Sequence, residues 1–558
     1  MNYEQFVIKY KDHITSLAIS NTSYGIHEKD DLLDIIDIEY INNEIHITKD
    51  LLSQLESINK DTLSFDEQID YELMELELKK SIFFNTLEYN RLFDYEQRPR
   101  LGHYLINSLL YLFIQDPRQP IIRLDNIASR IEKMPQVIIS YKGLLKKTLN
   151  RWKNIEIEEL TGLQELFDSI TNWAMENKFE KIESMKNNIQ TTKESINEYI
   201  RFLNNLEEIT DFSIGEEKTS ELIKLNGIDY NTEQLFQIAK SFYESNNANI
   251  KSLKNNLIEK YKLDSSTTQD ELIVYIKNLY SVPTEKILDY YKMNQEKITD
   301  FLNKTDLFVY PKEHKLLIMK TPSYLIPSIP VGAMNPPAPF ENGPKTSSVY
   351  LTIDEGRQSD QNSLMITNTM IHEGIPGHHL QFANAYENPS IVRKLYNNNV
   401  HAEGRTTYLE GVMTDIGFIG EEIKDEYTLI ALSDFARLGA RVAIDLYFMT
   451  GNEKYLNIIE GYTPQGQTQF DKAKDLLIKV TNFSSARAEG ELNWYSQERG
   501  YPMCYLVGNK LTWELQNYVL SNFDNKTEGL KFFHKTYLQE GNLPLNLLKK
   551  IFEKKLTI

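Results

Sequence analysis

Proline interrupts helices and glycine loosens them, so a chain poor in both is free to build long helices. Among 558 residues there are only 18 prolines and 24 glycines, and seven of the prolines crowd between Pro322 and Pro344. That distribution leaves two helix-permissive stretches with one short proline-rich crossing between them. In the first stretch the clearest pattern runs through Phe179, Ile182, Met185, Ile189, Ile196, Tyr199, Leu203 and Leu206. The steps are mostly three and four residues, the spacing of a helix with one buried face. Residues 1–300 read as roughly ten helices. Near residue 305 the period changes. Asp306–Tyr310, Lys315–Met319 and Ser348–Ile353 are short, β-branched or aromatic-rich, and bounded by Pro, Asp or Gly, so they read as strands of a small sheet. The proline-rich crossing between the second and third strands reads as an ordered loop without regular structure. After Asp360 the helical pattern resumes. The expectation is a mainly α protein, with a helical N-terminal lobe over 1–304 and a second lobe over 305–558 made of a small sheet and further helices.

Size and charge narrow the function classes. A chain this long exceeds a single core, so a small binding module is excluded. Its 61 Lys and Arg against 80 Asp and Glu leave a formal charge of −19. Such a surface repels phosphate backbones and anionic membranes, which argues against nucleic-acid and membrane partners. The lone cysteine, Cys504, cannot form a disulfide within the chain or build a cysteine-based zinc or iron–sulfur site. The first twenty residues carry scattered charges and no continuous apolar core, so a cytoplasmic location is expected.

Three of the ten histidines fall within eight residues, His372, His378 and His379 in MIHEGIPGHHLQ, with Glu373 following the first. Neutral imidazoles followed by an adjacent glutamate are what zinc hydrolases use, the glutamate serving as general base toward water. The spacing departs from HExxH, because Pro376 stands where the second histidine of that motif would be. On a straight helix His378 would lie about 9 Å along the axis and roughly 240° round from His372, and His379 about 10.5 Å away. A bend through Gly374-Ile-Pro-Gly377 would bring either His378 or His379 back beside His372. Glu403 and Glu410, seven apart in HAEGRTTYLEGV, share a helix face. One could bind a metal while the other accepts a hydrogen bond from a ligating imidazole.

The motif His-Glu-Gly-Ile-Pro-Gly-His-His, followed by Glu403-Gly404 and Tyr408, resembles the bacterial domain-of-unknown-function 885 family, predicted zinc peptidase relatives similar in architecture to thimet-type oligopeptidases. DEQIDYEL (66–73), FARLGARVAID (435–445), the series Glu491, Tyr495, Gly500, Tyr505 and Gly508, and FFHKTYLQEGNLPLNLL (532–548) extend the likeness over most of the chain. The resemblance implies a zincin-like fold with two helical lobes flanking a cleft and the small sheet beside the active-site helix. It implies His372, His378 and Glu403 as zinc ligands, with His379 the alternative to His378. Glu373 would be the general base and Tyr505 the donor to the developing oxyanion. Arg437 and Arg441, four apart, would anchor a substrate carboxylate or pair with local acids such as Asp445. This sequence departs from the family pattern at Arg405, Met449, Trp494 and Arg499, positions expected to line or support the cleft.

The expected function is a zinc-dependent hydrolase, a metallopeptidase acting on a peptide or small amide. Two rivals are a zinc enzyme tailored to a small molecule or modified peptide, and a degenerate helical interaction protein.

Overall fold

In the computed structural model residues 1–326, 329, 332–353 and 361–557 are described. Helix accounts for 68% and strand for 6%, so the mainly α reading holds. Twelve α-helices among the described residues precede Asp306. Their limits follow local chemistry. Helix Phe65–Thr86 opens with a capping box, in which the Ser64 hydroxyl accepts from the Glu67 amide and the Glu67 carboxylate accepts from the Ser64 amide. Helix Ile182–Asn204 buries Met185, Ile189, Ile196, Tyr199 and Leu203, the stripe legible in the sequence.

The last of the twelve, α1 (Ile287–Thr305), ends where Asp306 adopts a left-handed conformation at φ 52°. The run Asp306–Tyr310 is not a strand, contrary to expectation. Leu307 and Phe308 are buried by packing, with Phe308 4.4 Å from the His534 ring, and the backbone pairs with no ladder. The sheet that follows has three strands, β1 (His314–Lys320), β2 (Gly332–Asn335) and β3 (Lys345–Leu351). β3 is central, parallel to β1 and antiparallel to β2. β2 lies inside the proline-rich crossing, which therefore holds regular structure after all. It fits because Gly332–Asn335 contains no proline, and the nearest prolines flank it.

Six further helices build the site: α2 (Ser363–Glu373), α3 (His378–Ala385), α4 (Asn399–Asp415), α5 (Lys424–Thr450), α6 (Ser485–Gln497) and α7 (Cys504–Leu520). The boundary drawn at 304/305 falls at the end of α1. The largest apolar core runs across it, joining Trp152, Phe212 and Leu235 to Phe448, Met449 and Leu492. Arg499 adds a polar tie, donating to Asp94 Oδ1 at 2.8 Å and to the Phe212 carbonyl at 2.9 Å. Burial acts to raise the Asp94 pKa, but Arg98 and Arg499 outweigh it and hold the carboxyl well below the usual range. Met449 and Arg499, expected near a cleft, are core residues. No helix among the described residues is long and apolar enough to cross a membrane.

Candidate metal centre

α2 starts at an Asn362 cap and stops at Glu373, beyond which the chain bends through residues 374–377 before α3 begins at His378. Both glycines of the bend have negative φ, −96° at Gly374 and −71° at Gly377, so left-handed backbone is not why they are glycine. Space is the reason. A Cβ on Gly374 would lie 1.8 Å from Gln295 Oε1, and one on Gly377 would lie 1.8 Å from the His372 carbonyl oxygen. Gln295, buried on α1, clamps the bend by accepting from the Ile375 amide at 3.1 Å and donating to the Ile375 carbonyl at 3.2 Å.

This bend overcomes the helical spacing that separates His372 from His378. His372 Nε2 lies 3.4 Å and His378 Nε2 3.3 Å from the same oxygen, Glu403 Oε2. Donor atoms of all three residues fall within 4.8 Å of one another. Four ligands held tetrahedrally at zinc-like bond lengths sit about 3.3 Å apart, so the two measured separations fit a shared ion. Glu403 Oε2 is enclosed and has no hydrogen-bond partner, which is also what an atom facing a cation would show. His379 is elsewhere. Its Nδ1 meets Ser347 Oγ on β3 at 2.8 Å and its Nε2 meets His314 Nδ1 on β1 at 3.0 Å, docking α3 onto the sheet. Geometry thus separates two histidines that spacing could not.

A second layer orients the first. His372 Nδ1 donates to Glu410 Oε1 at 2.8 Å, the partition between Glu403 and Glu410 that their spacing allowed. Glu410 also accepts from the Asn368 side-chain amide, whose oxygen accepts from the Tyr427 hydroxyl at 2.7 Å. The other oxygen of Glu403 accepts from the Tyr501 hydroxyl at 2.5 Å. Tyr501 was not foreseen. It lies one turn before Tyr505, yet 33 tyrosines in the chain hide that signal.

Electrostatics follow from burial. For His372, burial acts downward, but the carboxylates of Glu403 and Glu410 beside it and the charge of Glu373 push the pKa up to about 10. For Glu403, burial acts upward and is outweighed by His378 and His372, so the carboxyl stays well below its usual range. The cluster is built around a positive charge, and a proton or a metal ion can supply it. Glu373 is half-buried at the end of α2, and its charge acts on both His372 and Tyr505. Tyr505 stacks beside His372, ring centroids 6.4 Å apart. Burial first, then Glu403, pushes the Tyr505 hydroxyl pKa well up, so it stays protonated and able to donate.

Tyr501 and Tyr505 are held by α4 and α5. A Cβ on Gly404 would lie 2.3 Å from Gly508 C, so α4 and α7 touch backbone to backbone. Asp445 accepts from the Gly500 amide at 3.0 Å and the Met503 amide at 3.2 Å, fixing the turn that carries Tyr501. It does not pair with the two arginines. Arg437 pairs with Asp434, and Arg441 donates to Tyr495 at 2.8 Å and Glu491 at 2.9 Å, its guanidinium 4.4 Å from the Tyr505 ring centre. Trp494 packs on Tyr501, ring centroids 4.9 Å apart. Cys504 is buried and donates to the Gly500 carbonyl at 3.1 Å, a structural thiol. Among the described residues one further trio, His27, Asp30 and Asp116, has the composition of a metal site, but Arg118 already pairs with both of its carboxylates.

A family profile described as "Bacterial protein of unknown function (DUF885)" matches residues 19–551. Two solved structures are similar in fold. One, a "putative lipoprotein of unknown function" from Shewanella oneidensis, is 18% identical with a TM-score of 0.77, covering 99% of this chain and 100% of that one. The other, a "putative lipoprotein" from Colwellia psychrerythraea, is 15% identical with a TM-score of 0.78, covering 100% of this chain and 98% of that one. No curated protein matches.

Proposed function

The chain belongs to the bacterial DUF885 family, and within it we propose a zinc-dependent hydrolase that cleaves peptide or small amide bonds. The observation that carries this reading is the convergence of His372 Nε2 and His378 Nε2 on an otherwise unpartnered Glu403 oxygen at 3.4 and 3.3 Å. In the proposal these three residues hold the ion and the architecture is zincin-like, with a cleft between the helical lobes.

Zinc bound there would supply a Lewis acid that acidifies water and polarises a carbonyl. The chain's own residues do the rest. Glu373 accepts the proton of the attacking water on a carboxylate oxygen and passes it to the leaving amine. Tyr505 donates its hydroxyl to the oxygen on which negative charge develops. Glu410 keeps the proton on His372 Nδ1, leaving Nε2 as the lone-pair donor. Tyr501 holds the second oxygen of Glu403 and so leaves Oε2 for the ion.

β3 is flanked on both sides and has no free edge, so an extended substrate could pair only with an outer strand. A cytoplasmic location belongs to the proposal. Recovery in a membrane fraction would overturn it; the two structural relatives are each described as a "putative lipoprotein". The direct test is Glu373→Gln assayed on a peptide panel. Unchanged zinc content with turnover abolished supports the reading, and retained turnover removes Glu373 as the base.

A further inference from the structure

We propose that Arg405 is the positioning residue that sets the second metal ligand, by stapling the bend at 375–377 to the helix that carries the third. The inference rests on the metal reading above. Arg405 is 1% exposed and lies two residues after Glu403 on α4. Its Nη1 donates to the Pro376 carbonyl at 2.8 Å and to the Gly377 carbonyl at 3.3 Å.

A buried guanidinium normally sits on a carboxylate, because an unpaired charge in the interior is costly. Among the described residues no carboxylate forms an ion pair with Arg405. The groups that act on its charge are the phenols of Tyr537 and Tyr408, and its guanidinium lies 5.9 Å from the Tyr537 ring centre. The contacts it does make go to two successive carbonyls of one turn, so that turn is what the buried charge serves.

The turn needs such a partner. With α2 ended at Glu373, the carbonyls of the bend lack the amide partners that a continuous helix would give. Gly377 O is shared with the Gln381 amide at 3.1 Å, and Arg405 is the partner of Pro376 O. On the other side Gln295 satisfies both backbone groups of Ile375. The bend is thus gripped by a neutral amide from α1 and a cation from α4. The Gly377–His378 peptide is the last plane before the second ligand, so fixing its carbonyl fixes the direction in which His378 leaves the bend. α4 then delivers ligand Glu403, the orienting Glu410 and this staple as one rigid unit. Both bonds leave the single nitrogen Nη1, so a lysine whose ammonium reaches that point keeps part of the staple, without the rigid plane that aims it.

The test uses the full chain bearing Arg405→Met, with Arg405→Lys as the milder variant should the first fail to fold. In the metal-free protein, hydrogen exchange of the amides of 377–381 is expected to quicken at least about tenfold, while helices remote from the bend keep wild-type rates. In zinc titrations against a chromophoric chelator, Arg405→Met is expected to bind about 10–100-fold more weakly, the usual effect of losing a group that orients a ligand. Arg405→Lys should recover part of both effects, and the visible bands of the cobalt-loaded protein should shift in Arg405→Met. Wild-type exchange at 377–381 together with wild-type affinity overturns the staple, as does exchange that quickens evenly over the whole chain. Should wild type itself take up no metal, the metal reading falls, and exchange at 377–381 decides the staple alone.

Discussion

Replacing Glu410 tests whether the layer behind the ligands tunes the site. Its carboxylate is buried and receives two donors, His372 Nδ1 at 2.8 Å and the Asn368 amide. In Glu410→Ala both lose their protein acceptor, at a position only 6% exposed. Loss of such an outer partner weakens metal binding by about 10–100-fold, or roughly 1.4–2.7 kcal/mol. The alanine variant belongs at the upper end. Glu410→Gln keeps a neutral acceptor for His372 but turns an amide toward Asn368, whose oxygen is already committed to Tyr427 at 2.7 Å. Its loss belongs nearer tenfold, about 1.4 kcal/mol. The assay is zinc competition against a chelator of known affinity at one fixed pH, with folding checked by circular dichroism. Alanine-variant affinity within twofold of wild type would refute the reasoning. So would a glutamine variant as damaged as His372→Ala, since that would make Glu410 a ligand rather than an orienting group.

Two other outcomes follow from the same geometry. His378→Ala should lose the metal, whereas His379→Ala should keep it and lose thermal stability, because His379 faces Ser347 and His314; equal metal loss in both would contradict the assignment. Burial pushes the Glu156 carboxyl up to about 8 although it accepts from the Gly102 amide at 3.0 Å. A raised carboxyl pKa means the folded state holds the proton more tightly, so this group's contribution is greatest below its ordinary value and is lost as pH rises toward about 8. Glu156→Gln should flatten that decline in chemical-denaturation curves, and an unchanged slope between pH 5 and 9 would contradict it.

The helical character was legible because it depends on local period and on where proline is missing, and the stripe on Ile182–Asn204 came out as read. The site was partly legible. Residue type and helical spacing brought forward the histidine cluster and the pair Glu403 and Glu410, while the set His372, His378 and Glu403 came from the family resemblance. The choice between His378 and His379 was not open to spacing, since it turns on the path of the bend. Gln295 gave no signal at all, being 80 residues away from the backbone it clamps. The glycines of the bend were expected for conformational freedom and are required instead for space, a distinction that only neighbouring atoms can draw. Asp306–Tyr310 looked like a strand because its residues are apolar and bulky, yet burial by packing uses the same residues. The central place of β3 depended on β2, a strand of four residues between prolines that no periodicity could announce.

The most direct test of the central claim is zinc content by mass spectrometry on purified wild type beside His372→Ala and Glu403→Ala. The account predicts about one zinc per chain in wild type after reconstitution and none in either variant. A wild type that stays metal-free when offered zinc, or variants that keep the ion, would contradict it.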